Sequence, residues 1–140
     1  MHEQLTGLYA RPFFEQEMGR LIKAKYNLPI GVILSDIDGF KAFNDTFGHK
    51  AGDDLLIATA NLLKSSVGGN GILARTGSDG FAVLLLECNR ITVESMITRI
   101  RDAIAGYNVG HPGLPLSISI GYAVDRSAWC RHWPPGTYSD

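Results

Sequence analysis

A short apolar run at Ile30–Ser35 is the feature that most constrains how this chain folds. The run reads Ile-Gly-Val-Ile-Leu-Ser, follows Pro29, and gives way abruptly to the polar segment Asp36–Gly39. Short apolar runs bounded in this way are typical of strands at the centre of a sheet. A central strand needs other strands beside it and helices packed over it, so the remaining segments must supply both.

Three segments have the three-to-four spacing of apolar residues that predicts amphipathic helices. Pro12 suits the first turn of the first helix, and Asp53 and Asp54 suit the N-terminus of the second. A shorter helical or irregular stretch precedes the second helix. The predicted helices span residues 12–26, 53–67 and 91–106, and the shorter stretch spans residues 40–48.

Three further segments have the pattern of strands. Ile72–Arg75 and Phe81–Leu86 are joined by Thr76–Gly80, a hairpin in which we expect the glycines to supply the positive φ of a tight turn. Leu116–Val124 alternates as a final strand. The order helix, strand, helix, hairpin, helix, strand predicts an α+β fold with a ferredoxin-like βαββαβ sheet, its flanking helices on one face.

Composition narrows the class of protein. The chain has 140 residues, 45% of them hydrophobic and 19% charged, which suits one globular domain. A formal net charge of -1 provides no general attraction to nucleic acid or to an anionic membrane. No signal-peptide pattern is present, and no apolar run approaches the roughly 18 residues of a membrane span. We therefore expect a cytoplasmic protein without a membrane segment or nucleic-acid partner, with Cys88 and Cys130 as free thiols.

Two carboxylates at the end of the predicted central strand are the first candidates for chemistry. Asp36 and Asp38 flank Ile37, and on a continuing strand they would share one face of the sheet. A divalent cation would relieve their repulsion, and Mg²⁺ favours one or two carboxylates together with substrate phosphates. The alternative interpretation is that these aspartates cap a turn.

An amide and another carboxylate follow at Asn44 and Asp53. Together they can read the hydrogen-bonding edge of guanine, although Asp53 equally suits a helix cap. Lys41 is either a phosphate ligand or a solvated surface charge, and no chemistry is assigned to His49.

Four segments of the chain, in order and at matching intervals, resemble the GGDEF family of diguanylate cyclases. Ser35–Asp53 resembles that family's DxDxFKxxND-xxGHxxGD segment, and Leu5–Leu8 with Arg11 resembles its opening LTGLxNR. Ser117–Ala123 resembles its late TxSxGxA strand, and Gly77–Phe81 stands at the position of its signature hairpin. The resemblance covers roughly residues 5–124 and implies the palm-like nucleotidyl-cyclase form of the predicted fold. We interpret residues 1–140 as one such domain, with an atypical tail at 125–140.

The resemblance also implies a set of site residues. In the family, two facing protomers each bind GTP, and the two nucleotides are joined into cyclic di-GMP with release of pyrophosphate. The implied roles are Mg²⁺ binding by Asp36, the Ile37 carbonyl and Asp79 (the last also catalytic), guanine recognition by Asn44 and Asp53, and phosphate contact by Phe40 and Lys41.

The signature hairpin departs from the family pattern at two positions. Gly77, Asp79 and Phe81 match, but Ser78 replaces the second glycine and Gly80 replaces the glutamate. Ser78 adds a Cβ where the family's backbone approaches the nucleotide. Gly80 removes a negative charge from a site that must hold Mg²⁺ against a triphosphate, and the loss of one electrostatic element commonly lowers a rate by about 10²–10³. The hairpin therefore predicts a degenerate, inactive cyclase.

Two further departures concern regulation and phosphate binding. The family's product-inhibition motif, RxxD, is absent because its register holds Gly68–Gly71. We also expect the helix with basic residues that usually follows the last strand to be absent, because Pro134 and Pro135 prevent a helix at that point of the tail.

The sequence thus predicts a degenerate GGDEF domain that binds GTP with Mg²⁺ and acts as a regulatory or partner-binding module. We expect a protein partner, or an attached sensor or phosphodiesterase domain, to respond to it. A weakly active diguanylate cyclase is the alternative, favoured by the presence of Asp36 and Asp79. The third hypothesis is a dimerisation domain with no ligand.

Overall fold

The computed structural model describes residues 2–23, 29–69, 71–86 and 89–125. The predicted end of the first helix at residue 26, both cysteines and nearly all of the predicted tail lie outside these residues. The elements in chain order are β1 Tyr9–Ala10, α1 Arg11–Lys23, β2 Ile30–Ile37, α2 Phe40–Phe47, α3 His49–Val67, β3 Gly71–Arg75, β4 Gly80–Leu86, α4 Arg90–Gly110 and β5 Ile118–Asp125. None of these helices is long and apolar enough to span a membrane.

The five strands form one mixed sheet in the order β1-β3-β4-β2-β5. The predicted central strand, β2, pairs antiparallel with β4 on one side and with β5 on the other. At the outer edge, the two residues of β1 run parallel to β3. The sequence patterns did not predict β1. The α+β fold and its βαββαβ core are confirmed, with β1 and α1 added at the N-terminal end.

Helices cover both faces of the sheet, so the expectation of helices on one face was wrong. Side chains alternate along β2: Ile30 and Val32 pack with Phe14 of α1, whereas Ile33 packs in the larger core with Leu56 of α3 and with residues of α4. Because successive residues of a strand point to opposite faces, a strand covered on both sides needs apolar residues at nearly every position. This double burial explains the apolar run in the sequence.

The boundary between α2 and α3 differs from the prediction. Gly48, at φ 92, caps the C-terminus of α2 and the N-terminus of α3, a backbone conformation that glycine adopts readily. Since α3 therefore begins at His49, Asp53 lies in its second turn and is not a residue of the helix N-terminus. Farther along the chain, α4 continues to Gly110, four residues beyond the predicted end of this helix at residue 106.

Candidate functional site

Asp36 lies inside the central strand, because β2 continues two residues beyond its predicted end at Ser35. In the register of the sheet, Asp36 is opposite Gly80 of β4 and Ser119 of β5. Burial raises the pKa of Asp36, and the negative charges of Asp79 and Asp38 raise it further. The structure therefore brings the three predicted carboxylates near one another at the end of β2.

Mg²⁺ fits this group of carboxylates only as a site shared with a ligand. Within the described residues, no three His, Cys, Asp or Glu side chains are close enough to enclose a metal ion. However, mutual repulsion between Asp36 and Asp79 is the condition that a divalent cation relieves. Mg²⁺ needs only one or two carboxylates when phosphate oxygens and water complete its shell.

Asp38 accepts hydrogen bonds from two serines, Ser119 in the last strand and Ser117 immediately before that strand. The hydroxyls of Ser117 and Ser119 each donate a hydrogen bond of 2.6 Å to its carboxylate. Its backbone N–H donates to the Ser117 carbonyl at 2.9 Å. The two hydroxyl bonds lower the pKa of Asp38, although its slight burial opposes them. Asp38 is therefore fixed toward β5, which leaves Asp36 as the carboxylate that faces Asp79.

Ser119→Ala is expected to raise the pKa of Asp38 toward its ordinary value of 3.8, because one hydroxyl donor is lost. A carboxyl whose pKa is lowered by folding adds stability above its unfolded pKa, and this stability disappears as the pH falls through the folded value. The variant should therefore be slightly less stable than the natural chain at neutral pH and equal to it in strong acid. A carbon NMR titration of the Asp38 carboxyl measures the shift. Thr98→Ala, which removes a hydroxyl from an exposed face of α4, should leave this titration unchanged.

The signature hairpin does not use its glycines as predicted. Among the described residues, the glycines with positive φ are Gly7, Gly39, Gly48 and Gly68, so the expectation of positive φ at Gly77 and Gly80 was wrong. Gly80 is instead a buried residue of β4. A Cβ there would lie 2.9 Å from Thr76 Oγ1 and 3.0 Å from Asp36 Oδ1. The carboxylate of Asp36 thus occupies part of the space that a larger residue at this position would need.

Main-chain hydrogen bonds fix the hairpin against the central strand. The Thr76 N–H donates to the Gly80 carbonyl at 2.9 Å, which closes the turn. The Ile37 N–H donates to the Asp79 carbonyl at 3.0 Å. Asp79 is therefore held at the end of β2, while Ser78 and Gly77 are exposed at the tip.

Asn44 packs against the first turn of α3, beside Asp53. Gly52 is buried there, and a Cβ on it would lie only 1.6 Å from Asn44 Oδ1 and 2.8 Å from Asn44 Cγ. The Asn44 Oδ1 atom is buried and has no hydrogen-bond partner among the described residues. A buried polar atom without a partner is uncommon in folded proteins. Asp53, the next residue after Gly52, is exposed.

Phe40 and Lys41 differ in what they can offer a phosphate. The Phe40 side chain is 8% exposed and belongs to the main core, so only its backbone is available. Lys41 is exposed at the first turn of α2. The N–H groups of a helical first turn have no acceptor within the helix and suit an anion.

Several residues that shape the site were not predicted from the sequence. Gly52 and Ser119 fall within the GHxxGD-like and SISIG segments, which resemble family motifs, but those motifs alone did not show what these residues contact. Glu3 and Arg75, which form an ion pair beside the hairpin, carried no sequence signal. Their importance depends on contacts between segments far apart in the chain.

Comparison with known proteins gives consistent matches. The family model described as "Diguanylate cyclase, GGDEF domain" matches residues 1–128. Among curated proteins of Escherichia coli (strain K12), the chain is 37% identical over 109 residues to the probable diguanylate cyclase DgcE and 31% identical over 128 residues to the probable diguanylate cyclase DgcT. These matches cover 76% and 89% of this chain, which spans only 10% of the length of DgcE and 28% of that of DgcT.

A solved structure agrees with the sequence matches. The GGDEF domain of DgcB from Caulobacter crescentus, determined in complex with c-di-GMP, superposes with a TM-score of 0.79 at 25% sequence identity. The superposition covers 90% of this chain and 76% of that one.

Proposed function

The chain belongs to the GGDEF domain family of diguanylate cyclases, and we propose that it is a degenerate member of this family. In this proposal the domain binds GTP in cyclic di-GMP signalling but has lost the ability to join two GTP molecules. Its role is then regulatory: the nucleotide-bound state is recognised by a protein partner or by an attached sensor or phosphodiesterase domain.

The observation that carries the proposal is Gly80. This residue of β4 is directly opposite Asp36 on the neighbouring strand β2, at the position where the family pattern has its glutamate. A glycine there offers no carboxylate beside Asp36 and Asp79. The metal side of the site, which consists of Asp36 and Asp79, therefore has one negative charge fewer with which to hold Mg²⁺ against the triphosphate. The expected loss in the rate of cyclic di-GMP formation is about 10²–10³-fold.

Retained guanine recognition is supported by the arrangement of Asn44 and Asp53. The amide of Asn44 is fixed by packing on Gly52, and Asp53 follows that glycine on the exposed side of α3. A carboxylate accepts hydrogen bonds from the N–H groups of guanine, and the amide N–H groups of Asn44 can donate to an acceptor on the base, since the amide oxygen is buried. With these two side chains, the domain binds guanine nucleotides more tightly than adenine nucleotides.

Asp36, the Ile37 carbonyl and Asp79 are the groups that would hold Mg²⁺ with the bound nucleotide. The ion, when bound, supplies positive charge that neutralises the phosphates and lowers the cost of developing charge at the α-phosphate. Lys41 and the first-turn N–H groups of α2 would orient the triphosphate, and Asp38 remains hydrogen-bonded to β5.

A weakly active diguanylate cyclase is the second candidate. It is favoured by one observation, the retention of Asp79 close enough to Asp36 to raise its pKa. In that case the remaining carboxylates hold enough Mg²⁺ for slow cyclisation.

Product feedback through the family's RxxD site is not part of either candidate. The register of that motif holds Gly68-Gly69-Asn70-Gly71, with neither the arginine nor the aspartate of the motif.

Calorimetric titration of GTP into the purified chain with Mg²⁺, followed by product analysis of the same mixture, tests the proposal. We expect GTP to bind and ATP to bind at least tenfold more weakly, with no cyclic di-GMP formed. Cyclic di-GMP in the mixture would establish the second candidate instead. Absence of binding by both GTP and GDP would exclude both candidates and leave the ligand-free dimerisation domain.

A further inference from the structure

The N-terminal residues form a closed turn that packs beside the signature hairpin. The Glu3 N–H donates to the Leu8 carbonyl at 2.7 Å, and the Gly7 N–H donates to the Glu3 carbonyl at 3.1 Å. Within this turn, the Glu3 carboxylate accepts hydrogen bonds from the Thr6 N–H, at 2.6 Å, and from the Thr6 hydroxyl. The Glu3 side chain is thus oriented before it meets any other segment.

Arg75 joins this turn to the hairpin. Its Nη1 donates to Glu3 Oε1 at 2.7 Å, while its Nε and Nη2 donate to the carbonyls of Gly77 and Ser78 at 3.0 and 2.9 Å. One guanidinium therefore holds two successive carbonyls at the hairpin tip and one carboxylate of the N-terminal turn. The rigid fork of an arginine can make all three bonds at once, whereas a lysine ammonium cannot reproduce this geometry.

The surroundings make this contact stronger than an ordinary surface ion pair. The side chains of Arg75 and Glu3 are 20% and 18% exposed, so solvent screens them less than the fully exposed pairs that contribute little. Burial alone would raise the pKa of Glu3, but the hydrogen bonds from Thr6 and Arg75 and the charge of Arg75 lower it overall. Glu3 is therefore charged at neutral pH and remains available to Arg75.

The hairpin tip held by Arg75 leads directly to Asp79. Ser78 immediately precedes Asp79, whose carbonyl is bonded to the Ile37 N–H at the end of β2. Gly77 and Ser78 are exposed. Among the described residues, the hydrogen bonds from the Arg75 side chain are the side-chain contacts that fix the carbonyls of Gly77 and Ser78. The conformation from which the Asp79 carboxylate projects toward Asp36 therefore depends on Arg75.

We propose that Arg75 is a positioning residue that fixes the hairpin so that Asp79 faces Asp36, and that Glu3 makes this position depend on the N-terminal turn. A movement of the N-terminal turn would release Arg75 and loosen the metal side of the site, while the guanine side at Asn44 stays intact. The importance of this coupling for nucleotide binding rests on the proposed function. The coupling itself is a property of the nucleotide-free chain.

Amide hydrogen exchange of the nucleotide-free chain tests the coupling directly. The Thr76 N–H closes the hairpin, and the Ile37 N–H joins it to β2. In Arg75→Lys, we expect the exchange of both N–H groups to become about tenfold faster. Glu3→Gln should have the same effect to a smaller extent. Arg20→Lys, which alters an exposed pair with Glu17 on α1, is the matched control and should leave both amides unchanged. Unchanged exchange at Thr76 and Ile37 in Arg75→Lys would overturn the proposal.

A second readout separates positioning from a purely structural role. We expect Arg75→Lys to reduce about tenfold the gain in GTP affinity produced by Mg²⁺, with the affinity measured in its absence unchanged. Equal loss of affinity with and without Mg²⁺, or no loss, would show that Arg75 does not position the metal side. If the natural chain binds no GTP, the proposed function fails, and the exchange measurement still decides whether Arg75 couples the turn to the hairpin.

Discussion

Gly80→Glu combined with Ser78→Gly is expected to raise the rate of cyclic di-GMP formation about 10²-fold above that of the natural chain. Position 80 is directly opposite Asp36 in the register of β2 and β4, so the new carboxylate would project beside those of Asp36 and Asp79. This returns the missing negative charge to the metal side of the site. Product formation from GTP and Mg²⁺, measured by chromatography, tests the gain.

The structure also predicts that this double substitution lowers the thermal stability of the chain when Mg²⁺ is absent. A Cβ at position 80 would approach Thr76 Oγ1 and Asp36 Oδ1 to about 3 Å, so both side chains must rotate away. Because like charges directly across strands repel, the double variant should melt at a lower temperature than the natural chain without Mg²⁺ and recover when Mg²⁺ is added.

Each single variant and the triple variant with Asp79→Asn serve as controls. Asp79→Asn should remove the gained activity, because it deletes the carboxylate that the restored glutamate assists. Activity that stays at the level of the natural chain in the double variant would show that Gly80 and Ser78 are not what limits catalysis.

Gly52→Ala is expected to weaken GTP binding by about 10- to 100-fold. The added methyl group would overlap Asn44 Oδ1, at 1.6 Å, so the Asn44 side chain must leave the position from which we propose that it contacts guanine. Loss of the one or two hydrogen bonds that this amide offers the base accounts for a change of that size. Overpacking between α2 and α3 should also reduce the free energy of unfolding by about 1–3 kcal/mol.

Gly106→Ala is the matched control for this substitution. Gly106 is an exposed helical glycine in α4, and a Cβ there would meet no atom within 4 Å. Alanine should therefore stabilise the chain by about 0.5–1 kcal/mol and leave GTP affinity unchanged. Calorimetry and thermal melting of both variants measure the two effects, and unchanged GTP affinity in Gly52→Ala would contradict the assignment of Asn44 to the guanine site.

The family and the fold class were predicted from the sequence, and both are confirmed. The double-sided burial of β2 is recorded in its apolar run, and the order of helical and strand patterns determines the βαββαβ core. Local signals of this kind are strong because each depends on residues only a few positions apart. The roles of Asp36, Asn44, Asp53 and Asp79 remain predictions, which the nucleotide titrations test.

Errors in the prediction arose where packing decided the outcome. The periodicity of α1 showed an apolar face but not which side of the sheet that face would cover. A glycine-rich turn suggested positive φ at Gly77 and Gly80, whereas hydrogen bonds from Arg75 and the strand register of β4 hold the hairpin in another conformation.

What the sequence by itself determined is every element except β1, the order of those elements and the family motif residues at the end of the central strand. Only the tertiary structure decided the partners of those residues. Asp38 meets a serine 81 positions later, Arg75 meets a carboxylate 72 positions earlier, and Asn44 lies on a glycine that belongs to the next helix. Such contacts follow from how the sheet and helices pack against one another, and no local pattern of residues encodes them.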